Sequence, residues 1–183
     1  MKEMNERCFS EDGIMLLRLA SVLAVLCIAG LAFAGEPVEE NPGWRGTDFS
    51  GAEIDFPAVL QGKPTVLIFW ATWCPYCSAF MPYLGEIQRD YGGDKINILA
   101  IDVFEDGVID AAAYVEALGF PVIAVANGES IAEIYSVYGT PGLMILDGQG
   151  NLVWRRASTD LPAGKTIAEV WAGQVREQLN QLL

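Results

Sequence analysis

The sequence predicts an α/β domain: a mixed sheet covered on both faces by helices. Three observations predict it. From Thr65 onward, short runs of β-branched and aromatic residues alternate with segments of helical periodicity. Late in the chain, Leu143 to Leu146 and Asn151 to Arg156 flank the turn Asp147-Gly148-Gln149-Gly150, which reads as a hairpin. A last helix then carries an apolar stripe that needs a sheet to cover. Strand–helix alternation that ends in a hairpin and a helix implies a mixed sheet rather than a purely parallel one.

The first element is a leader. Leu19 to Phe33 is fifteen residues without a charge, preceded by Arg18 and ending in Ala32-Phe33-Ala34, a small-x-small cleavage pattern. Residues 1–34 therefore read as a secretory signal peptide. As a helix the uncharged run spans only about 22 Å, short of a roughly 30 Å hydrocarbon core. An uncleaved membrane anchor is the alternative. Leu26 before Cys27 fits a lipoprotein signal poorly. Residues 1–14 hold Glu3, Glu6, Glu11 and Asp12, whereas a signal normally begins with positive charge. Starting at Met15 gives Met-Leu-Leu-Arg and then the apolar run, so Met15 is the expected true start. In that case Cys8 is never made, and Cys27 leaves with the signal.

Eight basic and twenty acidic side chains follow residue 34, a formal charge of −12 within the −13 of the whole chain. Such an acidic surface argues against nucleic acid and anionic membrane surfaces as partners. The 149 residues left suit one domain with a sizeable core.

Residues 35–46 hold acids, two prolines and glycines, the composition of a linker, so the folded domain is expected over residues 47–183. Asp48 to Phe56 carries Ser50-Gly51 between short apolar pieces, a small N-terminal hairpin. Phe56 to Gln61 reads as one helical turn. Thr65 to Trp70, a run of β-branched and aromatic residues, reads as a strand buried on both faces. Pro75 to Tyr91 is a helix bent at Pro82 and stopped by Gly92-Gly93. Ile96 to Asp102 is a second buried strand. Gly107 to Leu118 is alanine-rich and helical. Val122 to Ala126 is a short strand and Glu129 to Tyr135 a short helix. The final helix opens on a capping box, Thr166 with Glu169, and repeats Ile167, Val170, Trp171, Val175, Leu179 and Leu182 along one face.

The chemistry lies in Trp73-Cys74-Pro75-Tyr76-Cys77, where the central strand passes into the long helix. Pro75 suits the first helical position, whose N–H has no intrahelical partner. Cys74 then stands at the helix N-terminus and Cys77 one turn on, close enough for a disulfide. The free amides and the positive helix end favour a thiolate on Cys74. A C-x-x-C is also half of many zinc sites. The chain has no histidine, however, and its other cysteines lie in the leader. A static structural disulfide stays open as an alternative, although so short a loop restrains little of the unfolded chain.

Phe69-Trp70-Ala71-Thr72-Trp73-Cys74-Pro75-Tyr76-Cys77 is similar to the active-site segment of the thioredoxin superfamily. Pro82, the strand–helix insert between Ala100 and Tyr135, and Tyr138-Gly139-Thr140-Pro141 before Leu143 to Asp147 narrow the likeness. Together they resemble the bacterial extracytoplasmic TlpA-like and ResA-like disulfide reductases, over roughly Thr47 to Leu182. The resemblance implies a thioredoxin-like fold with a central sheet of about five strands. It implies that Cys74 attacks and Cys77 resolves, with no cofactor and no metal. Pro141 is implied to be cis and to lie against the cysteines, with Thr140 offering backbone groups to an extended substrate segment. Trp73, Pro75 and Tyr76 are implied as further substrate contacts.

Two departures matter. The buried acid that many thioredoxins carry six residues before the first cysteine is Ile68 here. The glutamate that ResA-like members often carry three residues after the second is Phe80. Asp102 and Glu105, just after a strand, are the candidates to move protons instead, or else ordinary loop acids. The Pro-Tyr dipeptide also resembles glutaredoxins, but the leader argues against a cytosolic protein.

The expected function is thiol–disulfide exchange with protein or peptide substrates in the bacterial periplasm. The likeness leans toward a reductase supplied by a membrane thiol donor, with apocytochrome c cysteines among its candidate targets. An oxidase or isomerase is the alternative. A thiol peroxidase is disfavoured, because Leu67 and Ala71 stand where P-x-x-x-T-x-x-C needs proline and threonine. Copper(I) suits thiolates, but the copper-assembly proteins related to this family add a histidine that the chain lacks.

Overall fold

The computed structural model describes residues 40–157 and 159–183. The leader expectations, Met15 included, lie outside those residues. Two antiparallel strands, β1 (Trp44–Thr47) and β2 (Glu53–Phe56), open the described chain, and a 3-10 turn follows at Ala58–Leu60. The main sheet then builds from β3 (Thr65–Trp70), β4 (Asn97–Asp102), β5 (Ile123–Val125), β6 (Gly142–Leu146) and β7 (Leu152–Arg155). The helices are α1 (Pro75–Tyr91), α2 (Ala111–Glu116), α3 (Glu129–Ile134) and α4 (Ile167–Leu182). Among the described residues no helix is long and apolar enough to cross a membrane.

The sheet order is β5-β4-β3-β6-β7. β3 runs parallel to β4, and β4 to β5, while β6 is antiparallel to both β3 and β7. β3 is central, and all six of its residues are buried, Thr65 with its hydroxyl donating to the Lys63 carbonyl at 3.0 Å. Its alternate side chains feed two cores. Val66, Ile68 and Trp70 pack with Cys77, Phe80 and Leu84 of α1 and with Trp171, Val175 and Leu179 of α4. Leu67 and Phe69 pack on the other face with the N-terminal hairpin, Leu60 and the Ile131–Tyr135 segment.

Two elements differ from expectation. β1 begins inside the stretch read as linker and ends one residue past it, because acid, proline and glycine content hid a strand anchored by one ring. Trp44 is buried and stacks on Phe56 at 4.7 Å. The turn itself is where the sequence placed it. The Asp48 carboxylate accepts the Ser50 and Ala52 amides at 2.8 and 2.9 Å, and Gly51 takes a positive φ of 86°. α2 is shorter than Gly107 to Leu118. Gly107 has a φ of 73°, and the Asp110 side chain accepts the Ala113 N–H, starting the helix there.

α4 begins on the expected capping box. Thr166 Oγ1 accepts the Glu169 amide at 3.2 Å, and the Glu169 carboxylate accepts the Thr166 amide at 2.6 Å. Thr166→Ala is expected to cost about 1 kcal/mol, read as a lower urea midpoint at unchanged slope.

Candidate active site

β3 ends at Trp70, and Ala71 to Trp73 carry the chain into α1. Cys74 is the residue before the helix, in extended conformation, and Pro75 is its first helical residue. Cys74 and Cys77 form a disulfide, with Cα atoms 5.2 Å apart. The two sulfurs differ in setting. Cys74 Sγ accepts the Cys77 backbone N–H at 3.2 Å, so an amide of the first turn supports negative charge there. Cys77 is fully enclosed, in the core that holds Phe80 and Ile68. Those two positions are apolar and buried, so neither supplies a carboxylate. Cys74 is 2 % exposed in this disulfide form, while its neighbours Trp73 and Tyr76 are 47 % and 57 % exposed.

Thr140–Pro141 is a cis peptide, and so is Phe56–Pro57, which the sequence reading did not anticipate. The antiparallel register pairs Phe69 with Gly142. Pro141 therefore stands at the end of the sheet from which the cysteine segment leaves β3. Arg156 Nη2 donates to the Pro141 carbonyl at 2.5 Å, and the guanidinium lies 4.6 Å from the Trp171 ring centre. The Trp171 ring meets Phe80 edge-on at 5.8 Å and Tyr76 at 6.2 Å. Burial pulls the Arg156 guanidinium below its usual pKa.

The acids sit on the other side of the cysteine segment. Both Glu105 oxygens engage Thr72, one accepting its backbone N–H and the other its hydroxyl, each at 2.5 Å. Trp73 Nε1 donates to the Phe104 carbonyl at 2.7 Å, and the Phe104 amide donates to Glu129 at 2.9 Å. Asp102 pairs with Trp70 across β3–β4 and is buried. Strand alternation puts it on the face of Ile98 and Ala100, the face that packs against Cys77. Its pKa is pushed up to about 7, first by burial, then by a hydrogen bond with Glu105 and by that group's charge. The Asn127 backbone N–H pulls it partly back.

The model of the AhpC/TSA family matches residues 38–155. A thiol-disulfide oxidoreductase ResA from Bacillus cereus (strain ATCC 10987 / NRS 248) is 30 % identical over 93 % of this chain and 91 % of its own length. The chain belongs to the AhpC/TSA family. It is a thiol-disulfide oxidoreductase of the ResA/DsbE type. A thiol:disulfide interchange protein DsbE from Tatumella citrea is 29 % identical over 68 % of this chain and 62 % of its own length. Among solved structures, a secreted Mycobacterium tuberculosis disulfide oxidoreductase homologous to E. coli DsbE has the same fold. It gives a TM-score of 0.54 at 24 % identity, over 73 % of this chain and 95 % of that one.

In this member of the AhpC/TSA family, the sequence candidates fall into two groups. Cys74, Cys77, Trp73, Pro75 and Tyr76 sit together at the start of α1, and Tyr76 shares one cavity with Thr140 and Pro141. Asp102 and Glu105 reach the site through Thr72 and Trp70 instead. Arg156 and Glu129 were missed. Each acts through a partner distant in sequence, the Pro141 carbonyl and the Phe104 amide. Nothing in the local pattern of either residue signals that contact.

Proposed function

We propose that the chain is a periplasmic protein-disulfide reductase in which Cys74 attacks and Cys77 resolves. The observation that carries this reading is the asymmetry of the pair. Cys74 sits at the helix N-terminus with an amide on its sulfur, whereas Cys77 is enclosed in the apolar core. In the reduced protein, Cys74 thiolate attacks one sulfur of a substrate disulfide. A mixed disulfide forms, and the other substrate sulfur leaves as a thiolate that takes up a proton. Cys77 then loses its proton and attacks Cys74 Sγ, releasing the second substrate thiol and leaving Cys74–Cys77 oxidised. Two electrons pass from protein to substrate. Trp73, Pro75, Tyr76, Thr140 and Pro141 form the surface that receives the substrate segment.

The signal-like leader supports the periplasm as the compartment. The compartment itself supplies no reductant, so the reductase direction needs an electron donor, for which a membrane thiol carrier is suited. Disulfide-bonded cysteines of apocytochrome c are a fitting target class. Run backwards, the same steps oxidise a substrate, and direction depends on potential. Equilibration with dithiol buffers, followed by alkylation and mass measurement, tests this. A midpoint near the thioredoxin value of about −270 mV is expected. A midpoint near the strong oxidants, at about −120 mV, would overturn the reductase direction in favour of an oxidase.

A further inference from the structure

A cavity of about 320 Å³ is bordered by Tyr76, which stands between the two cysteines in sequence, and by Thr140, Pro141, Arg156, Thr159, Ile167 and Trp171. Its lining is mixed, with polar and apolar surface in nearly equal share, and among the described residues no carboxylate lines it. Arg156 is its one cation. The guanidinium uses Nη2 on the Pro141 carbonyl, while Nε is buried with no partner. A second polar group on the same cavity is also unpartnered, the buried Thr140 Oγ1.

This is an unusual use of an arginine in this chain. Acids outnumber Lys and Arg by 24 to 11, yet this half-buried guanidinium has no carboxylate partner among the described residues. Burying its Nε without a partner costs desolvation without return. Trp171 accounts for one face of the plane and the Pro141 carbonyl for one edge. Nε has no protein partner. A carboxylate is the group that a guanidinium fork matches by both charge and geometry. A hydroxyl beside it can donate to the same oxygens.

We infer that this cavity is a subsite for an acidic side chain of the substrate, an Asp or Glu within two residues of the cysteine that Cys74 attacks. Arg156 pairs with that carboxylate, Thr140 Oγ1 donates to it, and Ile167 and Trp171 cover its methylene carbons. The placement makes the subsite selective for sequence context. Tyr76 lies between the two cysteines and borders the cavity, so a segment joined to Cys74 has its flanking residue beside Arg156. Elsewhere the strongly acidic surface repels such a segment. This assignment rests on Cys74 as the attacking residue.

Stopped-flow reduction of short cysteine peptides tests it, each peptide carried as a mixed disulfide with 2-mercaptoethanol. The peptides differ only in having Glu, Gln or Lys at the flanking positions, and hydroxyethyl disulfide is the neutral reference. The reduced wild type is expected to favour the Glu peptide over the Gln peptide about tenfold in kcat/KM. High salt should shrink that ratio. Arg156→Gln should erase it, and Arg156→Glu should turn the preference toward the Lys peptide. Reaction with hydroxyethyl disulfide sets the baseline of each protein, and the Glu-to-Gln ratio is read against it. Equal rates on the Glu and Gln peptides in the wild type would overturn the subsite, and that comparison needs no variant. So would a uniform slowing of every substrate in Arg156→Gln, which is what a mere prop for Pro141 would give. A wild type inert to hydroxyethyl disulfide would instead overturn the assignment of Cys74.

Discussion

Cys77→Ala is expected to collect its substrates as mixed disulfides on Cys74, while multiple turnover falls about a thousandfold or more. The first step needs only the Cys74 thiolate, and nothing in that step uses Cys77 sulfur. The amide that Cys74 Sγ accepts belongs to the backbone of residue 77 and survives the substitution. Attack therefore proceeds, but no thiol stands one helical turn away to break the bond that forms. Protein purified from oxidising cells should carry partners that dithiothreitol releases. Cys74→Ala should carry none, since the remaining thiol is enclosed beneath Phe80 and the central strand. Partners captured by Cys74→Ala and absent from Cys77→Ala would reverse the two roles.

The cysteine pair could be placed from local sequence because the rules that set it are local. A buried strand, a proline at the first helical position and a glycine stop leave little freedom. α1 accordingly runs from Pro75 to Tyr91 as read. The five-stranded sheet was legible in the same way, through runs with turn signals between them. What was not legible depends on distant partners. Trp44 becomes a strand residue only because Phe56 offers a ring to stack on. Glu105 looks like any loop acid until Thr72, 33 residues away, donates to both of its oxygens. Arg156 reads as the end of a hairpin, and its contacts with Pro141 and Trp171 depend on how β7, the cis peptide and α4 meet. Asp102 was singled out for its position after a strand. Its burial comes from what packs over that strand.

Asp102→Asn is expected to move stability and rate in opposite directions above neutral pH. An unfolded aspartate titrates near 3.9, and in the fold Asp102 is pushed up to about 7. With the folded value above the unfolded one, the native state holds the proton more tightly. The stability this confers is complete below about pH 4 and is lost as pH rises through about 7. Asparagine removes the buried charge. Asp102→Asn should therefore gain roughly 1–3 kcal/mol at pH 8 and almost nothing at pH 4, read from urea denaturation at both values. The rate should go the other way. A carboxyl that titrates near 7 is suited to take the proton from Cys77 as it attacks. Asp102 stands on the sheet face where Cys77 packs and shares a hydrogen bond with Glu105. Resolution of the mixed disulfide should accelerate through pH 7 in the wild type. Asp102→Asn and Glu105→Gln should each slow it about a hundredfold and flatten that step. The Glu105→Gln side chain keeps an oxygen for the Thr72 amide, so the segment before Cys74 should stay in place. Alkylation of Cys74 by iodoacetamide should then hardly change in either variant. Resolution that keeps its rate and its pH step in both variants would leave Glu105 as an anchor for Thr72 and Asp102 as a buried acid with no part in proton transfer.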